Sequence, residues 1–471
     1  MRIVTNIGLL FVILQPIMEK RKNFGSKLGI ILAAAGSAVG LGNVWRFPTE
    51  TGANGGAAFI IIYIVCVLVL GIPVMLSEFV IGRSTHANTI DAYRRLAPRS
   101  AWIVQGYLGV FAAFIILSYY SVVAGWTMKY LVTATAGWVT HIADPAAYFT
   151  SFTSNAWWPV VFTALVLLTT HIIVVRGVQN GIERFSKLLM PMLFIIITVL
   201  VVCSMMMPGA GEGLRFLLRP DFSKITADTL LSALGQAFFS LSLAMGCLCT
   251  YASYFRDDAN LTRTAVSVVS IDTLVAVMCG FIIFPAVFSV QEITPDAGPG
   301  LVFITLPSVF QMAFDGAPIL GYIFALLFYL LLIVAAITST ISLHETITAF
   351  LHERGLSRRS AAWIVTSSCL VLGIFCSLSF GPMKDFKPFF GLGFFDAFDF
   401  LSAKIIMPIG GIIISLFAGW RLDKKLVRDQ VTNGGKLRAP LFGLYRFIIR
   451  WVAPTLITLV LLNELGVFSH K

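Results

Sequence analysis

The stretch LGIILAAAGSAVGLGNVWRFP, residues 28–48, is apolar enough to lie in lipid but carries punctuation that a plain membrane helix lacks. Glycines stand at 36, 40 and 42, Asn43 and Arg46 follow, and Pro48 closes it. A glycine costs a helix interior about 1 kcal/mol against alanine, so the cluster marks a place where the helix can open. Gly36 and Gly40, four apart, would also suit a close helix-packing face. Packing alone does not account for Asn43 and Arg46, because polar side chains in lipid are costly unless they face partners or water.

The rest of the chain supports a membrane reading. Of 471 residues, 58% are hydrophobic and 12% charged, with mean hydropathy +0.88; soluble proteins run at roughly 45–50% apolar and 25% charged. That excludes a water-soluble, disordered or secreted disulfide protein. Eleven apolar stretches reach the roughly 20 residues that a bilayer demands: approximately 27–51, 57–81, 101–131, 157–175, 188–207, 229–254, 265–290, 318–350, 361–380, 400–420 and 443–463. The expected fold is an all-α integral membrane protein of eleven transmembrane helices.

The net charge of +11 could suggest a nucleic-acid partner, but its distribution argues for topology. With the N-terminus cytoplasmic, only Arg215, Arg219, Lys224, Lys384, Lys387 and Lys471 fall outside, and Arg46, Lys129 and Lys404 lie within spans. The other basic residues all fall inside, a strong positive-inside bias. The seven cysteines (Cys66, Cys203, Cys247, Cys249, Cys279, Cys369, Cys376) sit in apolar runs without a CxxC pair and read as small buried hydrophobes. The apolar run within residues 1–17 is too short to span and has no small-residue cleavage site after it. It reads as a misassigned start or a peripheral extension, with MEKRK from Met18 as a natural beginning.

A second span is interrupted. LGQAFFSLSLAMGCLCTYASY, residues 234–254, carries Ser240, Ser242 and Gly246 in an otherwise apolar helix. Spans one and six are equivalent if spans one to five and six to ten form two repeats. Interrupted segments at matching positions of two halves point to a binding site at the bilayer midplane. The expected organisation is a cytoplasmic segment 1–26, a first five-helix repeat 27–207, a second 208–420, and a cytoplasmic loop with the eleventh helix at 421–471. PDAGPG at 295–300 precedes the apolar LVFITLPSVF, which suggests a short re-entrant or capping helix.

GSAVGLGNVWRFP (36–48), TGANGGAAF (51–59), GIERFSKLLMP (181–191), GQAFFSLSLAMG (235–246), TYASY (250–254) and AAITSTISL (335–343) together resemble the neurotransmitter:sodium symporters, most closely their bacterial amino-acid members. The likeness runs from about Arg21 to the end. It implies a five-plus-five inverted repeat with broken helices one and six, in a bacterial inner (plasma) membrane, as a monomer or weak homodimer surrounded by lipid. The function it implies is sodium-coupled symport of an amino acid, with two Na⁺ sites, no organic cofactor and no catalytic residue. An unwound stretch suits this independently, since it frees carbonyls for Na⁺ while a half-helix N-terminus presents N–H groups to a carboxylate.

The resemblance assigns residues as follows. Sodium site one takes the Ala38 carbonyl, Asn43, Ser240 and Asp272. Site two takes the carbonyls of Gly36, Val39 and Ala335 with the hydroxyls of Thr338 and Ser339, although such hydroxyls also commonly bond back to their own helix. The amino-acid backbone sits on the Gly40 and Gly42 amides and the Tyr120 hydroxyl, with carbonyls around Ala38, Phe239 and Ser240 facing its ammonium. Val39, Leu41, Ile116, Phe239, Ser242, Met245 and Leu343 shape side-chain specificity, beside Ser339. This mostly apolar set favours a hydrophobic or aromatic L-amino acid, and Met245 is flexible enough to adapt to different ligands.

Asp272 stands where relatives commonly carry asparagine, and Ala276 where some carry a balancing glutamate, so Asp272 can supply the charge that others take from chloride. The outer gate implied is Arg46 with Asp399, and the inner one Arg21 with Glu353, with Phe24 where a tryptophan is often found. Gly181, ten residues before Pro191, suggests an inner end of span five that can unwind. Glu78 reads as a structural holder of freed amides in span six. The main alternative is a sodium-independent or proton-coupled carrier of the same fold, which should lack Asn43, Asp272, Thr338 and Ser339. An enzyme would need a catalytic cluster, yet His86, His141, His171, His344, His352 and His470 are scattered. A sensor would need a signalling domain or long tail.

Overall fold

The computed structural model describes residues 23–137, 139–290, 300–314 and 316–468. The protein is 79% helical, with no strand among the described residues. Two segments take the first break: α1 (Lys27–Ala38) and α2 (Gly42–Ala53) meet at a 58° bend. There follow α3 (Ala57–Thr85), α4 (Thr89–Leu96), α5 (Ile103–Thr135), α6 (Trp158–Val175) and α7 (Val178–Ser204). The second half holds α8 (Ala227–Ser240), α9 (Cys247–Ala252), α10 (Leu261–Phe288), α11 (Leu301–Ala313), α12 (Pro318–Glu353), α13 (Arg358–Leu378), α14 (Phe394–Arg421), α15 (Lys424–Thr432) and α16 (Phe442–Glu464).

Among the described residues nine helices are long and apolar enough to cross a bilayer, or ten with the bent pair taken as one span. The break expected in span six lies within 229–254. That segment is the 14-residue α8 and the six-residue α9, separated by 241–246. Ser242, Ala244 and Gly246 there have φ of +52°, +65° and +73°, left-handed values that no α-helix can carry. Span five begins earlier than expected, at Val178, with a π-helical turn over Val178–Glu183, and Pro191 sits inside it. LVFITLPSVF lies in the short helix α11, too short to cross. Residues 1–17, Arg21, the PDAG stretch, His470 and Lys471 lie outside the described residues.

The broken segments sit at the centre of the molecule because their neighbours leave room for backbone. α12, the longest helix, lies along α5 and also touches α1, α6, α7 and α9. α9 nests against α3, where a Cβ on Gly82 would stand 2.1 Å from the Cys249 carbonyl oxygen. Only glycine permits that approach, so the second half of span six is held by backbone contact.

Candidate functional site

α1 stops because Val39 turns extended, φ −67° and ψ 115°, and the helical path resumes at Leu41. Opposite it, α8 stops at Ser240 and the 241–246 turn is tied down twice. The Ala244 N–H donates to Glu78 Oε1 at 2.7 Å, and the Ser242 hydroxyl donates to the Ser37 carbonyl at 2.9 Å. The first bond is the role expected of Glu78, and the second joins the two breaks to each other.

A cavity of about 40 Å³ lies between the breaks. Of the residues expected to bind a substrate, Ala38, Gly40, Leu41, Gly42, Ile116, Tyr120, Phe239, Ser240, Ser242, Met245, Ser339 and Leu343 all line it. Val39 does not; its side chain is fully packed away, and its contribution is a carbonyl that accepts the Ser339 hydroxyl at 3.1 Å. Extended backbone at Val39 turns the side chain away from the opening that its neighbours' backbone faces. Tyr120 Oη accepts the Leu41 N–H at 3.0 Å, so it already caps an amide freed by the break. Ser37, Asn43 and Ser342 complete the lining.

Next to the cavity, Asp272 is completely buried among neutral partners. Asn43 Nδ2 donates to its Oδ1 at 2.7 Å, the Ser240 hydroxyl to its Oδ2 at 2.8 Å, and the Tyr63 hydroxyl to Oδ2 at 3.4 Å. Asn43 Oδ1 in turn accepts the Gly40 N–H at 2.9 Å. Asn43, Ser240 and Asp272, named from three separate spans, therefore form one oxygen-rich cage. Among the described residues no Lys or Arg forms an ion pair with Asp272. An ionised carboxylate buried without a partner charge is expensive, and a small hard cation bound by oxygen ligands is what such a cage suits.

On the other side of the α1 break, Thr338 and Ser339 of α12 meet it edge-on. A Cβ on Gly36 would be 3.3 Å from Thr338 Cβ and 3.5 Å from Met190 Sδ. The Thr338 hydroxyl bonds back to the Ala335 carbonyl at 2.9 Å and the Val334 carbonyl at 3.3 Å. Its oxygen therefore sits beside the Ala335 carbonyl.

The two ends differ from expectation. Arg46 does not pair with Asp399 within ion-pair distance; its guanidinium lies over the Phe239 ring, 4.4 Å from the centroid. Asp399 sits near Tyr119, whose hydroxyl accepts the Ser402 hydroxyl at 3.5 Å, one turn on in α14. The reason is local: Arg46 is the last residue of the π-helical turn Gly42–Arg46 and lies over the aromatic ring covering Gly42, whose Cβ would be 3.1 Å from Phe239. At the opposite end Glu353 Oε2 accepts the Asn88 N–H at 3.0 Å and Asn88 Nδ2 at 2.6 Å, while Arg21 is outside the described residues. Phe24 is buried against Tyr251, Tyr254 and Phe255, and its N–H donates to the Tyr254 carbonyl. Lys27 pairs with the exposed Asp258 carboxyl in the loop after α9 and holds it below its ordinary pKa.

The sequence profile of the sodium:neurotransmitter symporter family matches residues 21–144 and 149–471. The chain belongs to that family. It is a family of transporters, not enzymes, and its sodium dependence is carried in the names of its relatives. The chain is 38% identical over 455 residues to the uncharacterized sodium-dependent transporter YhdH of Bacillus subtilis, covering 96% of this chain and 99% of that one. It is 28% identical over 393 residues to the sodium-dependent serotonin transporter of Drosophila melanogaster, covering 73% of this chain and 62% of that one. Its structure resembles that of MhsT in complex with L-phenylalanine, with 40% identity, a TM-score of 0.85, and coverage of 94% of this chain and all of that one.

Three features of the structure escaped the sequence reading. Tyr63 closes the Asp272 cage from α3. Gln236, one turn before Ser240 on the same face of α8, is buried with both amide atoms unpaired among the described residues. Glu345, fully buried in α12, accepts Arg358 Nη1 at 3.1 Å and the Tyr254 hydroxyl at 2.7 Å. The signal for the last was a carboxylate in the apolar run TISLHETITAF.

Proposed function

We propose that the symporter imports a hydrophobic or aromatic L-amino acid across a bacterial inner membrane, driven by two sodium ions and without chloride. The observation that carries this is the buried Asp272 cage sharing Asn43 and Ser240 with the wall of the cavity. In this reading the Ala38 carbonyl, Asn43, Ser240 and Asp272 hold the first ion. Carbonyls of Gly36, Val39 and Ala335 and the hydroxyls of Thr338 and Ser339 hold the second. Asp272 supplies the negative charge beside the first ion, so no anion need be recruited.

The amino acid lies between, its carboxylate toward the Gly40 and Gly42 amides and Tyr120, its side chain toward Leu41, Ile116, Phe239, Met245 and Leu343. The apolar wall and the L-phenylalanine complex of the similar MhsT structure support that substrate class. At about 40 Å³ the cavity is far below the roughly 300 Å³ of an ordinary ligand pocket. The transport cycle must therefore widen it, by moving Phe239 with the Arg46 that lies over it. With the N-terminus cytoplasmic, Arg46 and Asp399 face outside and Glu353 belongs to the inner end.

The test is uptake of a panel of labelled amino acids into proteoliposomes. Leucine, phenylalanine or tryptophan should accumulate with a sodium gradient, stop when potassium replaces sodium, and continue when gluconate replaces chloride. Uptake that follows a proton gradient in sodium-free medium would favour the proton-coupled alternative. Uptake that collapses without chloride would remove the role given to Asp272.

A further inference from the structure

The turn between spans nine and ten carries a residue that its backbone disfavours. After α13 ends at Leu378, the chain runs through GPMKDFKPFFGLG at 381–393 before α14 begins at Phe394. Phe389 and Leu392 close a tight turn: the Leu392 N–H donates to the Phe389 carbonyl at 2.8 Å, and the Phe389 N–H to the Leu392 carbonyl at 3.4 Å. Between them Phe390 and Gly391 have φ of +50° and +86°. Two positive values in a row mark a type I′ turn, whose first central position suits Asn, Asp or Gly. A bulky residue there is an outlier, and the Phe390 ring is wholly exposed, so no packing within the chain offsets that backbone.

The base of the loop is fixed. Phe380 packs on Trp126 of α5 and Phe395 of α14, with ring centroids 5.0 and 4.9 Å away. A Cβ on Gly381 would stand 2.1 Å from the Ser154 carbonyl oxygen, just before the exposed Trp157 and Trp158 at the start of α6. The tip is continuous with an outward helix face. α13 exposes Ile364, Val371 and Phe375, which lie seven and four residues apart and so share one face. An exposed apolar stripe on a membrane span is a lipid-facing one. Phe375 stacks on Phe394 at 5.2 Å, and Phe394 meets Phe389 at 5.3 Å, so aromatic surface runs from that stripe to the turn. Lys384 and Lys387 are exposed beside it, with Asp385 between them.

We propose that the Phe389–Phe390 turn is a membrane anchor, with the Phe390 ring in the acyl boundary of the outer leaflet and Lys384 and Lys387 on phospholipid phosphate. Aromatic rings collect at the level of the headgroups, and an apolar tip with basic neighbours is the chemistry that holds a segment there. The choice of leaflet rests on the cytoplasmic N-terminus of the proposed function; the lipid contact does not. α14 opens at Phe394, and Asp399 closes its first six residues. The anchor therefore holds the outer end of the helix that carries Asp399.

The full chain in nanodiscs of phosphatidylethanolamine and phosphatidylglycerol tests it. In a Cys203→Ser background the other cysteines are buried, so a fluorescent label on Phe390→Cys reports that site. Lipids spin-labelled near the headgroup should quench it as strongly as a label on the lipid-facing Val371→Cys, and iodide should not. A label on the exposed Ala143→Cys should show the reverse. Hydrogen exchange over residues 383–393 should rise about tenfold or more in Phe390→Asn, the factor for one aromatic side chain taken out of an apolar medium. Phe390→Leu, equally apolar, should stay near the parent.

Iodide quenching at Phe390→Cys equal to that at Ala143→Cys would overturn the anchor. So would slower exchange in Phe390→Asn, because asparagine tolerates left-handed backbone and a lipid-free turn gains from it. Shielding from both quenchers only in nanodiscs that hold two copies would give the turn to a second copy and likewise overturn the proposal. If lipid quenches the label but an impermeant maleimide reaches Lys384→Cys only in permeabilised cells, the cytoplasmic N-terminus fails while the lipid contact stands.

Discussion

Gly40 has space for a hydrogen and no more. A Cβ there would lie 2.7 Å from Ser339 Oγ and 3.0 Å from Tyr120 Oη, the two hydroxyls that meet the broken backbone. Overpacking of this kind costs typically 1–3 kcal/mol, so Gly40→Ala should weaken amino-acid binding by about tenfold or more. A scintillation-proximity or calorimetric titration in sodium checks it, with thermal unfolding as the control for folding. Asp272 carries a different prediction, because its contacts are with neutral groups. Asp272→Asn keeps the shape of the cage and removes its charge, so half-saturating sodium should rise about tenfold and chloride should begin to stimulate uptake. An Asp272→Asn protein with unchanged sodium dependence would mean that the carboxylate is only a structural hydrogen-bond acceptor.

At the scale of elements, the second break is more constrained than the first. The first break needs only glycine and an extended Val39, whereas the second places Ser242 and Ala244 in left-handed backbone, which costs non-glycine residues of order 1–3 kcal/mol each. The Glu78 carboxylate on α3 holds the Ala244 amide and keeps the turn from relaxing into helix. Loss of a buried hydrogen bond to a charged group costs roughly 1.5–3 kcal/mol. Glu78→Ala should therefore lower the unfolding midpoint by several degrees and abolish high-affinity binding, as measured by thermal unfolding in detergent with and without amino acid. A variant that unfolds earlier but binds normally would separate Glu78 from the geometry of the break.

For the whole molecule the question is how sodium and amino acid become dependent on each other. The cage and the cavity share Asn43 and Ser240, and the Ser242–Ser37 hydrogen bond joins the two broken segments across the same space. A ligand in either place orders backbone that the other needs, and such coupling is reciprocal by thermodynamic necessity. Saturating sodium should raise amino-acid affinity by a factor of about 5–150, the usual range for such coupling, and saturating amino acid should raise sodium affinity by the same factor. Two matched equilibrium titrations on purified protein check the equality. Unequal factors would mean that the two ligands select different conformations.

The helical membrane architecture and the positions of both breaks were legible in the chain because each follows from local chemistry. Apolar runs of bilayer length, glycine clusters and left-handed or polar interruptions act within a few residues of themselves. Asn43, Ser240 and Asp272 were singled out together by the motif resemblance, and the fold brings them within hydrogen-bond reach of one another. Other features belong to tertiary structure alone: Arg46 stacking on Phe239 in place of Asp399, Val39 facing away from the cavity, and Tyr63 closing the cage. The physical reason is that these depend on the rotation of one helix against another, which single-helix periodicity does not encode. Rotation is set only when the buried faces of many helices pack together at once.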